Sequence, residues 1–377
     1  MGLGAEDSIE RRFTYEWASG VWVPILSVAL ALVIGAVVVL AAGSNPINAY
    51  WQLFQGSFGS RYAISETLLA AVPLMLAGMA VAFSFRAGLF NIGAEGQIFI
   101  GAILSAWVGY TLNAPAILLI PLALLAGALG GAVWAGIAGI LKAWRGAHEV
   151  ITTIMLNYIA INLSHYLLES GPSGQPGPME QHVQIGNPVT PPMNAHLSVI
   201  VPDSLVPGGR LHAGLIIALV MGVVFWFVLW RTTLGYRIRA VGLSPKSASY
   251  AGIHVGWHVA GAMIIAGVFS GLAGMVAIYG VYPYELSDSF SPGYGFDAIA
   301  VALLGKNTAV GTIAAAMLFG ALEHGANLME ATAGISSHLT DVVQGLIIFF
   351  IGADAIVRYL SRKGMIRLPA YQEKAAA

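Results

Sequence analysis

Phe85-Arg86-Ala87-Gly88-Leu89-Phe90-Asn91-Ile92-Gly93-Ala94-Glu95-Gly96-Gln97 sets one arginine, one glutamate, two amides and three glycines between two long apolar runs. The first run, 64–85, closes at Arg86, and the second opens at Leu89. A helix beginning at Leu89 would carry Glu95 and Gln97 roughly 9 to 12 Å along its axis at ~1.5 Å per residue, deep in a hydrocarbon layer ~30 Å thick. A carboxylate and amides at that depth need partners or water, while Gly88, Gly93 and Gly96 let backbone approach closely or leave helical geometry. Asn91, Glu95 and Gln97 are therefore candidates for lining or supporting a polar path, Asn91 and Glu95 sharing a face if the helix is regular there. Asn157 joins them on amide chemistry at membrane depth. The plainer reading is a tight contact of helices through small residues, with the acid satisfied by a neighbouring subunit.

Composition agrees with a membrane setting. Hydrophobic residues make up 57% of the 377 and charged residues only 9%, against about 25% charged in soluble domains. The formal net charge of −1 and the lack of a basic run offer nothing for nucleic acid. With no cysteine there are no disulfides and no cysteinyl metal sites. No mixed-composition block is large enough for a separate soluble domain, so residues 1–377 read as one membrane domain.

Residues 1–20 form a polar N-terminus, and the apolar run 21–42 is longer than the ~7–15 residues of a signal-peptide core, so it reads as an uncleaved anchor. Residues 45–60 mix aromatics with polar groups, which suits a short interfacial helix and turn. Further spans are expected near 64–85, 89–112, 115–141, 150–168, 211–230, 258–282, 294–304, 308–329 and 338–359, giving an all-α polytopic membrane protein of about ten transmembrane helices. The span 294–304 is short for a full crossing of ~20 residues. Residues 169–210, rich in Pro and Gly, read as an ordered or semi-ordered extracytoplasmic cap. Threading ten spans from an internal N-terminus puts every one of the 17 Lys and Arg residues on the cytoplasmic side except Arg61 and Arg210, as the positive-inside rule requires. Both termini, including the tail 360–377, are then cytoplasmic. The stretches 64–168 and 258–359 each hold four spans, which points to an internal repeat of two four-helix halves.

The cytoplasmic loop 231–257 contains a small punctuated helix. Ser244 suits an N-cap, Pro245 the first helical position, and Gly252 a left-handed stop after about two turns. Leu243 is placed to pack on the first turn. A plain connection needs only a few polar residues, so a capped helix outside the bilayer points to a docking surface. On it Ala248, Ser249 and Ala251 would permit close approach and Tyr250 would anchor. The alternative is a helix resting on headgroups with Arg237 and Arg239 near anionic lipid.

These two stretches resemble those of the permease subunits of ABC importers in the branched-chain amino acid, ribose and nucleoside superfamily. Residues 85–97 match its Arg-Ala-Gly-Leu-Phe-Asn-Ile-Gly-x-Glu-Gly-Gln signature, and residues 233–252 its Thr-x-x-Gly-x-x-x-Arg-Ala-Val-Gly loop running into Tyr-Ala-Gly-Ile. Residues 45–59, His148-Glu149-Val150-Ile151 leading to Thr153-Ile154-Met155-Leu156-Asn157-Tyr158, and Thr332-Ala333-Gly334-Ile335 followed by Gln344-Gly345-Leu346 are most similar to the longer permease of bacterial nucleoside uptake systems. The resemblance covers nearly the whole chain apart from the cap. It implies a cell inner-membrane protein that pairs with a second related permease, two cytoplasmic ATPases and an extracytoplasmic binding protein or lipoprotein. It implies a coupling helix at Ser244 and no cofactor in this chain, ATP and Mg being held by the ATPases.

The residues agree with that division of labour. A Walker A loop needs Gly-x-x-x-x-Gly-Lys-Ser/Thr, and the nearest approach, Leu304-Gly305-Lys306-Asn307, has Ala300 at the first glycine position and no hydroxyl after the lysine. His148-Glu149 is followed by Thr152 where a zinc helix needs histidine. Glu323 and His324 with Glu330 read as satisfied polar groups on a packed helix in preference to a metal cluster. The competing function is a self-contained transporter driven by an ion gradient, with Glu95, Asp297, Glu323, Asp341 and Asp354 as coupling acids. An intramembrane enzyme finds no nucleophile and base at recognisable spacing.

Overall fold

Glycines decide which apolar helices meet backbone to backbone. The computed structural model describes residues 24–41, 43–168, 177–180, 188–287, 289–334 and 336–352. Within them the chain forms α1 (Pro24–Ala41), α2 (Pro46–Phe58), α3 (Arg61–Arg86), α4 (Ala94–Thr111), α5 (Ala116–Arg145), α6 (Glu149–Leu168), α7 (Gly214–Arg231), α8 (Thr233–Leu243), α9 (Pro245–Tyr250), α10 (Val255–Gly280), α11 (Tyr294–Leu304), α12 (Ala309–Ala333) and α13 (His338–Gly352). No strand occurs among the described residues beyond the isolated bridges Val189 to Ser287 and Val199 to His212.

Two compact units divide the chain, Phe54–Gly325 on one side and Met1–Leu53 with Ala326–Ala377 on the other. In the larger unit α3 and α10 are buried over most of their length, while α5, α6 and α7 present much of their surface outward. A helix apolar all round belongs in a core or a bilayer, and here small residues choose between the two. A Cβ at Gly101 of α4 would stand against the backbone of Gly271, one at Gly131 of α5 against Gly267 and Gly271, and one at Gly274 against the Ile98 carbonyl. This is small-residue packing between membrane helices, where dispersion replaces the hydrophobic effect. In the smaller unit Val39, Ala49 and Met329 are fully buried with Leu53, Ala333 and Leu339 against them. The Tyr50 hydroxyl there donates to the Leu32 carbonyl at 2.6 Å.

Seven helices, α1, α3, α5, α6, α7, α10 and α12, are long and apolar enough to cross a membrane, which makes this a multi-pass membrane protein. Three of the expected spans fall outside that set for separate reasons. The helix α4 opens with Glu95 and Gln97, α11 has 11 residues and α13 has 15. The expected helix from Leu89 does not form; residues 89–93 are irregular and α4 begins at Ala94. Glu95 and Gln97 therefore occupy its first turn instead of lying 9 to 12 Å along a helix.

The reason is the turn after Arg86. Gly88 has φ +73°, its N–H reaches the Phe85 carbonyl at 3.0 Å, and the Leu89 N–H reaches Ser84 at 3.0 Å. That pair of bonds is a Schellman stop, which ends a helix through a left-handed residue that glycine adopts without a Cβ penalty. The later part of the cap, from residue 188, is irregular, with turns over residues 202–209, and is pinned to the helices. The Asn194 amide donates to the Tyr110 and Leu112 carbonyls at 3.2 and 3.0 Å, covering the end of α4, and Met193 and Thr190 bond back to Tyr284 and Leu286. Residues 169–176 and 181–187 of the expected cap, the terminal segments 1–20 and 360–377, and the acid Asp354 lie outside the described residues.

Candidate functional site

The short helix α11 starts where α4 starts. A Cβ at Gly295 would stand against the backbone of Glu95, so the two first turns are in contact. Each N-terminus carries a partial positive charge and unbonded N–H groups. Glu95 meets that need at α11: its Oε1 accepts from the Ser291 hydroxyl at 2.6 Å and its Oε2 from the Gly295 N–H at 2.5 Å. Ser291 Oγ in turn accepts from Gly293 and Tyr294, each at 3.3 Å. Asn157 of α6 does the same for α4, its Oδ1 accepting from Gly96 N–H at 2.8 Å while its Nδ2 donates to the Ile92 carbonyl at 2.9 Å.

Asn91 is bound elsewhere. Its Oδ1 accepts from Gly93 N–H at 3.0 Å and from Gln97 Nε2 at 3.1 Å, closing an Asx turn over the irregular segment. Asn91 and Glu95 do not share a regular helical face, because the helix starts between them. All four of Asn91, Glu95, Gln97 and Asn157 are buried. The arrangement brings together all four residues that chain position and chemistry single out, and each holds another part of the same chain. Ser291 and Gly295 escape a reading by span, although Ser291-Pro292-Gly293 before an apolar run is a helix-start signal.

A second polar contact lies on α3. Arg210 donates to both carboxylate oxygens of Glu66, whose side chain is almost wholly buried, and so ties the end of the cap to that helix. Among the described residues no three His, Asp or Glu side chains converge in a way that could hold a metal ion.

The loop helix α9 is capped as its residues require. Ser244 Oγ accepts from Ser247 N–H at 3.3 Å, Pro245 stands at the first turn, and Gly252 has φ +78°. Two expectations about its faces are corrected. Leu243 is 89% exposed and packs on no first turn, and Ala248 is only 4% exposed because it faces its own chain. Ser249, Ala251 and Gly252 are exposed, and Tyr250 is 94% exposed. Beside them an open cavity of about 460 Å³ is lined by Trp144, Ser249, Gly252, His254 and Trp257 among others. Two of its lining residues, Trp144 and Trp257, meet edge to face at 5.4 Å.

A multi-pass helical body with a buried polar break where α4 and the short α11 start is an arrangement that membrane transport proteins use. Residues 63–352 match the family model described as branched-chain amino acid transport system / permease component, and the chain belongs to that family. It is 38% identical over 344 residues to the guanosine ABC transporter permease protein NupP of Bacillus subtilis, covering 90% of this chain and 95% of that one. It is 36% identical over 335 residues to the glucose ABC transporter permease protein TsgB13 of Haloferax volcanii, covering 87% and 86%. The nucleoside ABC transporter permease protein NupB of Lactococcus lactis is 37% identical over 348 residues, covering 91% and 93%. The chain is thus a permease subunit of an ABC importer and not an enzyme, and ATP hydrolysis resides in separate partner proteins.

Proposed function

We propose that the chain forms part of the translocation path of a nucleoside importer. The observation that carries this is full-length similarity to two permeases named for guanosine and for nucleosides, NupP and NupB. The helix starts favour an uncharged solute. In transporters of other kinds such N-termini face an anionic substrate group, but here Glu95 and Asn157 each already accept from one first-turn N–H, of α11 and α4 respectively, and Glu95 brings its own carboxylate to the site. Glucose, named for TsgB13, is likewise uncharged and is the second reading.

In this reading the chain crosses the bilayer ten times, with α4, α11 and α13 as the three crossings beyond the seven long apolar helices, and both termini are cytoplasmic. Long α3 and α10, each followed by a break and a helix whose start meets the other's, support an internal repeat. Its partners are a second related permease, two ATPases and an extracytoplasmic binding protein. This chain holds no cofactor, and ATP with Mg belongs to the ATPases. The helix α9 is the coupling element, docking through Tyr250, Ser249 and Gly252 with Ser244 and Pro245 as its cap. Asn91, Glu95, Gln97 and Asn157 support the path by holding the two helix starts in place.

Reconstitution with the partner subunits in proteoliposomes tests the assignment. Radiolabelled guanosine should accumulate with ATP present and not with an ion gradient alone. Accumulation of glucose without guanosine would replace the nucleoside assignment by the sugar one.

A further inference from the structure

Arg86 closes α3, and three separate elements converge on its side chain and its turn. Its Nε donates to the Asn307 carbonyl at 2.9 Å and its Nη2 to the Lys306 carbonyl at 3.0 Å, just past the end of α11. Its guanidinium also lies 5.5 Å from the centroid of Trp230 at the end of α7, and Arg239 of α8 lies 4.1 Å from the same ring. The third contact is backbone on backbone. A Cβ at Gly88 would be 2.9 Å from the Gly242 carbonyl, and one at Gly242 would strike the carbonyl of Arg86.

These contacts join the docking loop to the helix starts by two short routes. One runs from α8 through the Gly242 and Gly88 contact into residues 89–93, and so to Asn91 and the first turn of α4. The other runs from Arg86 through the carbonyls of residues 306 and 307 into α11, a rod of 11 residues whose opposite end is Gly295 on Glu95. Lys306 and Asn307 both have φ +53°. Non-glycine residues are held in the left-handed region only where the surroundings over-determine them, and the arginine fork supplies that restraint. Lysine has one compact ammonium and lacks the planar fork that meets the two carbonyls from separate nitrogens and stacks beside an indole.

We propose that Arg86 is a positioning residue for energy coupling, and that the Gly88 and Gly242 contact is the joint through which α8 moves the starts of α4 and α11. The joint carries displacement because backbone against backbone has no side chain to yield, and interiors packed this closely transmit strain. The inference rests on the reading of the chain as an ABC importer subunit. It adds which residues carry motion from the docking loop to the polar break.

The test uses the whole complex in proteoliposomes with its binding protein, measuring ATP hydrolysed and substrate taken up in the same sample. Gly242→Ala inserts a methyl group into the joint with no left-handed strain, and Arg86→Lys keeps the charge but loses the fork. Gly345→Ala is the control, since Gly345 is an exposed helical position on α13 with nothing near its Cβ and no left-handed φ, outside both the joint and the docking helix. Both joint variants should assemble and hydrolyse ATP, with ATP consumed per solute rising about tenfold, within the range typical of coupling between sites. The control should keep the wild-type ratio. If Gly242→Ala does not assemble, Arg86→Lys decides alone. Uptake and hydrolysis falling in proportion, or an unchanged ratio, would show a structural role only and overturn the proposal. Wild-type complex whose hydrolysis ignores loaded binding protein would overturn the importer reading, and this inference with it.

Discussion

Glu95 accepts two hydrogen bonds at the start of a helix about 200 positions further along the chain, and its loss leaves the buried Gly295 N–H and the half-buried Ser291 hydroxyl without that acceptor. Such groups cost about 1–3 kcal/mol each when orphaned. Glu95→Ala should therefore reduce uptake at least about tenfold, while the ATPases still co-purify with the permease. Wild-type uptake in both Glu95→Ala and Asn91→Ala would remove these residues from the path. Asn157 makes a sharper case because one amide serves as donor and acceptor at once. Asn157→Asp keeps the acceptor for Gly96 but turns a carboxylate toward the Ile92 carbonyl. It should lower the melting temperature of the purified permease by more than a conservative exchange of the exposed residue Asn162→Gln, whose amide donates only to a carbonyl of its own helix.

At the scale of elements, α9 separates docking from lipid contact. Its buried Ala248 fixes which side faces the chain, so the outward side is Ser249, Tyr250 and Ala251. An aromatic anchor commonly contributes ~2 kcal/mol or more to an interface. Tyr250→Ala should weaken ATPase recovery on a tagged permease by about tenfold or more, and Ser249→Glu should do so by placing an unpaired charge in a packed surface. Full recovery of the ATPases in both variants, with stimulation by loaded binding protein intact, would assign α9 to the headgroup layer. The neighbouring α8 takes a different role, since its Gly242 end is pressed against the turn after α3.

For the whole molecule, orientation is the property to measure. The orientation proposed from the Lys and Arg bias has the cap outside and the turn between α5 and α6 inside. The chain has no cysteine, so single introduced thiols report cleanly. Ser198→Cys, exposed in the cap, should react with an impermeant maleimide in intact cells, and His148→Cys, exposed between α5 and α6, only after permeabilisation. The opposite pattern would invert the topology. Labelling of both in intact cells would mean that the number of crossings between them is even.

The sequence by itself determined the all-helical membrane class, the positions of most helices and the caps of α9. These features are local, since hydropathy, capping and left-handed glycines act within a few residues. It also drew attention to Asn91, Glu95, Gln97 and Asn157, because polar groups in apolar runs are conspicuous. Which groups satisfy them was decided by the tertiary structure: Ser291 and Gly295 lie some 200 residues from Glu95, and no local pattern links them. The same holds for Arg86, whose partners at residues 306 and 307 carry the second side of the joint. Helix faces were hidden for another reason. In a membrane both the lipid-facing and the packed side of a helix are apolar, so periodicity does not tell them apart. Only the close approach of particular glycines, such as Gly131 on α5 to Gly267 on α10, shows which side is packed.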